Sequence, residues 1–201
     1  GCRTQPHLPA LRVLTYNTHH GEGNDGGVDL ARIAAVIREA RPDVVALQEL
    51  DSRARRSGRV AQAEEYSRLT GLLAQFGEAM PFDGGSYGQA LLSRWPLDEF
   101  TVHPLPGPSG REPRIAVSAR VSPPHGPPFR FVGTHLDAAH DDGERWLQAG
   151  RLNDLFAQDR LPTVLTGDLN APPASRVMQR MFAHWEDAAA HHPQPTIPSE
   201  A

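Results

Sequence analysis

The chain has 201 residues, a formal net charge of -4 and a pI near 6.2. A chain of that length buries a sizeable core as one domain without disulfides, and its acidic balance excludes a global basic field that would hold nucleic acid by non-specific attraction. It contains no lysine, so all 20 of its Lys/Arg cations are arginine, a choice that suits bidentate phosphate contacts and equally follows from a GC-rich coding sequence.

The single cysteine, Cys2, excludes an internal disulfide. Gly1-Cys2 followed by Arg3-Thr4-Gln5-Pro6 resembles the end of a bacterial lipoprotein signal, where cleavage leaves the cysteine to carry lipid. The alternative is an ordinary exposed cysteine beside a cloning-derived glycine. On the first reading residues 1–10 are a lipoprotein linker, Cys2 attaches the protein to a membrane, and the protein works in the cell envelope or as a secreted species; on the second it is cytoplasmic. No apolar run approaches the ~18 residues of a membrane span, and residues 11–201 read as one domain.

In chain order, Leu11 to Asn17 alternates as a short strand, and a glycine-rich loop spans Gly21 to Gly27. Asp29 is placed to N-cap a helix carrying Leu30, Ile33, Ala34, Ile37 and Ala40, which Pro42 closes. The continuous apolar run Val44-Val45-Ala46-Leu47 predicts a strand buried on both faces that delivers Glu49 at its carboxyl end. A charged loop from Asp51 to Gln62 leads into a second predicted helix over Glu64 to Phe76. Beyond Gly84-Gly85, strands are predicted over Gln89–Ser93, Leu97–His103, Ile115–Val121 and Phe129–Thr134, spaced as an antiparallel meander. A third helix over Asp142–Phe156, a buried strand Thr163–Leu165 and a short helix over Arg176–Phe182 complete the reading. Strands that both alternate with helices and run consecutively fit an α/β (α+β) arrangement of two packed mixed sheets with helices outside. Asn17, Glu49, His135 and Asp168 then all lie at strand ends and converge on one rim.

An ionised Glu49 after a buried run is costly unless it is paired or binds a cation. Magnesium, or manganese in its place, resolves that cost with Glu49 and Asn17 as protein ligands and water and substrate oxygens for the rest. Asp168 and Asn170, two residues apart, suit accepting a proton from an attacking water and donating an amide to developing charge. Asp-Leu-Asn is also good turn chemistry. His135, at a strand tip, is placed to donate to a phosphate oxygen or protonate a leaving group. His135, Asp137 and His140 offer a rival zinc reading, although their spacing lacks the compact pattern of established sites. Arg53, Arg55, Arg56 and Arg59 crowd the loop after Glu49. They form either a solvated loop or a positive lip for an extra phosphate or lipid headgroup, with Arg56 as its substrate contact.

Four blocks in order, Thr15-Tyr16-Asn17, Leu47-Gln48-Glu49, Thr134-His135-Leu136-Asp137 and Thr166-Gly167-Asp168-Leu169-Asn170, resemble those of the endonuclease/exonuclease/phosphatase superfamily with its DNase I-like fold. Gly88 to Pro96 and Arg111-Glu112-Pro113-Arg114 support the match. The resemblance implies a four-layer sandwich and magnesium-dependent hydrolysis of a phosphoester in a small molecule, a lipid headgroup or nucleic acid, with no obligate protein partner. It implies metal-site roles for Asn17 and Glu49, catalytic roles for His135, Asp168 and Asn170, and substrate binding by Arg114. Members of the family usually close with a strand bearing Ile-Asp-Tyr and a final Ser-Asp-His. The chain ends at Ala201 before either, which leaves three readings: the domain continues beyond Ala201, which is favoured, the protein is truly short, or another residue substitutes. A binding module of the same fold that has lost turnover is the alternative function. His191 and His192, in a polar proline-rich tail, are weak substitutes for the terminal histidine.

Overall fold

The structure is a computed structural model that describes residues 10–190 and residue 196. Cys2 and its linker, like His191 and His192, lie outside the described residues. Strand β1 (Val13–Asn17) connects through α1 (Leu30–Ala40) to the parallel strand β2 (Val44–Ser52). As expected, Asp29 caps α1, its side chain accepting the Arg32 N–H at 2.9 Å. After α2 (Gln62–Thr70), strands β3 (Leu73–Phe82) and β4 (Gly85–Ser93) complete a first sheet of order β1-β2-β4-β3. Strands β5 (Leu97–Pro104), β6 (Ile115–Val121) and β7 (Phe129–His135) run antiparallel in succession. The chain then passes through α3 (Gly143–Phe156) to β8 (Thr163–Asp168), parallel to β7, giving a second sheet of order β5-β6-β7-β8. Helix α4 (Arg176–Phe182) follows. Among the described residues no helix is long and apolar enough to cross a membrane.

Two local expectations change. The second helix stops at Thr70 because Gly71 takes a left-handed C-cap, φ 76°, and the residues expected to prolong it open β3. Asp83 and Gly84, with φ of 45° and 79°, form a two-residue turn into β4. The meander is also shorter than predicted. β4 pairs with β2 and β3 in the first sheet, so only β5, β6 and β7 form it.

Side-chain alternation along the strands builds four layers. Val45, Leu47, Ala90 and Leu92 face outward onto Ile33, Ile37 and Tyr66 of α1 and α2. Val44, Ala46 and Leu91 face inward and meet Val117, Ala119, Phe129 and Phe131 of the second sheet. On the far side Ala116 and Val132 pack under Leu152, Phe156, Val177 and Met181 of α3 and α4. The order is helices, sheet, sheet, helices.

The registers bring functional ends together. β1 and β2 align Asn17 with Gln48, and β7 and β8 align His135 with Asp168. Gly167, just before Asp168, lies so close to β7 that a Cβ there would overlap the Thr134 backbone carbonyl. Gly167→Ala is therefore expected to lower stability by about 1–3 kcal/mol through overpacking, measured as a fall in the urea unfolding midpoint at unchanged slope. An unchanged midpoint would contradict the close approach.

Candidate active site

β2 does not end before Glu49 as the apolar run suggested; it continues to Ser52 with an irregularity between Leu47 and Leu50. Glu49 sits in that bulge at φ 59°, a local twist that re-aims its side chain to the rim. The carbonyl of the preceding Gln48 accepts both the backbone N–H and the hydroxyl of Thr18, each at 3.0 Å.

Asn17 is the junction. Its Nδ2 donates to Glu49 Oε1 at 2.7 Å and to Asp168 Oδ2 at 3.1 Å, while its Oδ1 accepts the His19 N–H at 3.1 Å. The amide expected to offer an oxygen to a metal thus holds two carboxylates, one from each sheet. Asp168 is fixed at both oxygens, since Oδ1 accepts the backbone N–H of Asn170 at 3.1 Å. That contact is an Asx turn, so the turn and the site are one structure. Asn170 takes φ 46° and donates Nδ2 to the Leu136 carbonyl at 3.0 Å, spending one of its two amide hydrogens on β7's extension.

His135 is 5 % exposed. Arg114 Nη1 donates to its Nδ1 at 3.1 Å, which makes Nδ1 the acceptor and leaves the proton of the neutral ring on Nε2. Nε2 lies 3.7 Å from Asp168 Oδ2, beyond a hydrogen bond and open to a third group. Burial first, then the Arg114 cation, holds His135 below its ordinary 6.5, against upward pulls from Asp168, Glu49 and Asp137. Arg114 also pairs with Glu112 at 2.7 Å, and its buried Nε has no partner among the described residues.

Arg56 is engaged elsewhere. Its Nε and Nη2 grip the fully buried Asp51 at 2.8 Å each, and its guanidinium lies 4.3 Å over the Phe82 ring. In the rival zinc group, Asp137 is bonded to Arg111 at 3.0 Å, and its donors do not converge with those of His135 and His140. Among the described residues the convergent metal-donor group is His19, His20 and Glu49. Neither histidine was expected at the site from the sequence, although both lie just beyond the Thr15-Tyr16-Asn17 block, separated from it only by Thr18. Nor was Tyr87, a buried phenol whose pKa is raised by burial and by nearby Glu49 and Glu112.

The carboxylates of Glu49 and Asp168 converge on one amide nitrogen, and Arg56, whose charge reaches Glu49, is already paired with Asp51. That donor set fits a divalent cation bound through hard oxygens, with Glu49 holding it. A four-layer sandwich with a carboxylate–amide–imidazole rim defines the class. The family model for the Endonuclease/Exonuclease/phosphatase family matches residues 14–199, and the chain belongs to that family, named for cleavage of phosphoester bonds. It superposes on an endonuclease/exonuclease/phosphatase from Beutenbergia cavernae DSM 12333 with TM-score 0.69 and 28% identity, covering 85% of this chain and 52% of that one. The chain therefore spans about half the length of that relative. It shares the fold of a family protein from Bacteroides thetaiotaomicron (TM-score 0.70, 20% identity, 86% and 68% covered) and of the human Nocturnin catalytic domain with bound sulfate (TM-score 0.65, 21% identity, 84% and 67% covered).

In metal-free protein, NMR titration should place His135 below 6.5. Arg114→Met should move its midpoint up by removing a cation, and Asp168→Asn should move it down by removing an anion. Shifts of the same sign in both variants would refute this electrostatic arrangement.

Proposed function

We propose that the chain forms the hydrolytic centre of a divalent-metal-dependent phosphoesterase. The observation that carries this reading is the Asn17 amide joining Glu49 to Asp168 across the two sheets, with a neutral His135 facing Asp168. Glu49 would hold magnesium or manganese, and a divalent ion there supplies Lewis-acid polarisation of the phosphoryl oxygen.

The remaining work falls to the chain's own groups. Asp168, partly exposed and oriented through both oxygens, accepts the proton of the attacking water. His135 Nε2–H donates to a phosphoryl oxygen or the leaving oxygen, because Arg114 keeps the tautomer that carries its proton there. The unused hydrogen of the Asn170 amide is the second neutral donor. Arg114, with its unpartnered Nε, offsets substrate charge. The Arg56–Asp51 pair supports a bracing role for Arg56, which steadies the loop after Glu49, and phosphate binding at the arginine lip would fall to Arg53, Arg55 and Arg59. The substrate class is a phosphoester; attachment through a lipidated Cys2 would place it at a membrane.

The test is hydrolysis of bis(4-nitrophenyl) phosphate by this chain. Turnover is expected with magnesium or manganese, abolished by EDTA and restored by re-adding the ion. Asp168→Ala is expected to lower kcat by about 10²–10⁴-fold, the usual contribution of general acid–base catalysis. Equal turnover with EDTA, or an Asp168→Ala variant as fast as the parent, would overturn the reading. A folded chain that binds phosphate but never turns over would favour the binding-module alternative.

A further inference from the structure

Three residues at the rim adopt left-handed backbone angles: His19 at φ 45°, His20 at φ 44° and Glu49 at φ 59°. Such angles cost about 1–3 kcal/mol each and persist only where the surroundings impose them. Here they are imposed. The Gly21 N–H bonds the Thr18 carbonyl and the Glu22 N–H bonds the His19 carbonyl, both at 2.8 Å. Buried Gln62 clamps the turn to β2, its Nε2 donating to the His20 carbonyl at 2.6 Å and its Oε1 accepting the Asp51 N–H at 2.9 Å.

The outcome of this enforcement is that one donor atom from each of His19, His20 and Glu49 lies within 4.8 Å of the others. The hydrolytic reading gives neither imidazole a task. The two rings are tilted against each other with centroids 4.6 Å apart. His20 is buried, and its Nε2 meets Glu22 Oε2 at 3.1 Å, which leaves Nδ1 with a free lone pair. A carboxylate on the far nitrogen is the usual outer partner of a metal-bound imidazole, fixing its tautomer and raising its basicity. The exposed His19 ring forms no hydrogen bond with a described residue, so it turns onto an ion without losing one. Glu49 has Oε1 on Asn17, and its other oxygen forms no hydrogen bond with a described residue.

We propose that His19, His20 and Glu49 form a binding site for a borderline transition-metal ion of the zinc class. Two imidazoles and a carboxylate are a zinc donor set with one position left open. Magnesium, which seeks oxygen, gains little from them. The shared Glu49 makes zinc and magnesium rivals for one carboxylate. The site stands on donor geometry alone, so it holds or fails independently of turnover.

The test is zinc titration of the whole chain against a chromophoric chelator, with X-ray absorption on the one-to-one complex and circular dichroism to verify folding. One zinc per chain is expected, with imidazole scattering in its shell. His19→Ala, on an exposed side chain, and Glu49→Gln should each weaken it by about tenfold or more, while His125→Ala leaves it unchanged. The proposal is overturned if the tightest zinc survives both His19→Ala and Glu49→Gln in folded protein. It is equally overturned if that zinc is lost on replacing His191 and His192, or if its shell contains no imidazole.

Discussion

One amide nitrogen, Asn17 Nδ2, accounts for the organisation of the rim. It donates to a carboxylate of each sheet, Glu49 from the first and Asp168 from the second. Two unit charges 4 Å apart interact by about 4 kcal/mol at the effective dielectric of a protein surface, so two carboxylates meet there only if donors or a cation offset the repulsion. Asn17 supplies the donors. Its own carbonyl is tied to the turn that follows β1, which prevents the amide from swinging away from either partner.

The rest of the architecture serves that junction. Parallel pairs place their carboxyl ends on the same side, and each sheet contributes one such pair, β1 with β2 and β7 with β8. The antiparallel strands and helices α1 to α4 bury the faces of those pairs. Gly167 lets β8 approach β7 closely enough to set Asp168 opposite His135. The Glu49 bulge turns a side chain that simple alternation would have sent toward α1 and α2. Arg114 completes the arrangement from β6's leading loop by fixing the His135 tautomer. The same enforced backbone that aims Glu49 also aims His19 and His20, so one rim carries two kinds of metal donor.

Much of this was legible in the sequence where a local rule and the tertiary packing agree. Asp29 predicted its cap, the Val44–Leu47 run predicted a strand buried on both faces, the mixture of alternating and consecutive strands predicted two packed mixed sheets, and the four blocks predicted the family. What escaped had identifiable causes. Leu72, Leu73 and Phe76 continue the apolar spacing of α2, so helical periodicity concealed the break at Gly71, although Asp83-Gly84 is a hairpin signal that would have exposed β3. The assignment of β4 and β5 to different sheets depends on long-range packing that turn spacing does not encode. Arg56 looked like a free cation because its partner, Asp51, is five residues away on a strand assumed to have ended. Asn17 looked like an oxygen donor to metal because a sequence does not reveal which end of an amide faces a carboxylate.

The junction is tested most directly by a double-mutant cycle in unfolding free energy, measured in EDTA for the parent chain, Asn17→Ala, Asp168→Ala and the double variant. If Asn17 joins the two sheets through Asp168, the two substitutions are coupled by at least about 0.5 kcal/mol. Strictly additive losses would show that the amide and the carboxylate act apart, and would contradict a single centre built from both sheets.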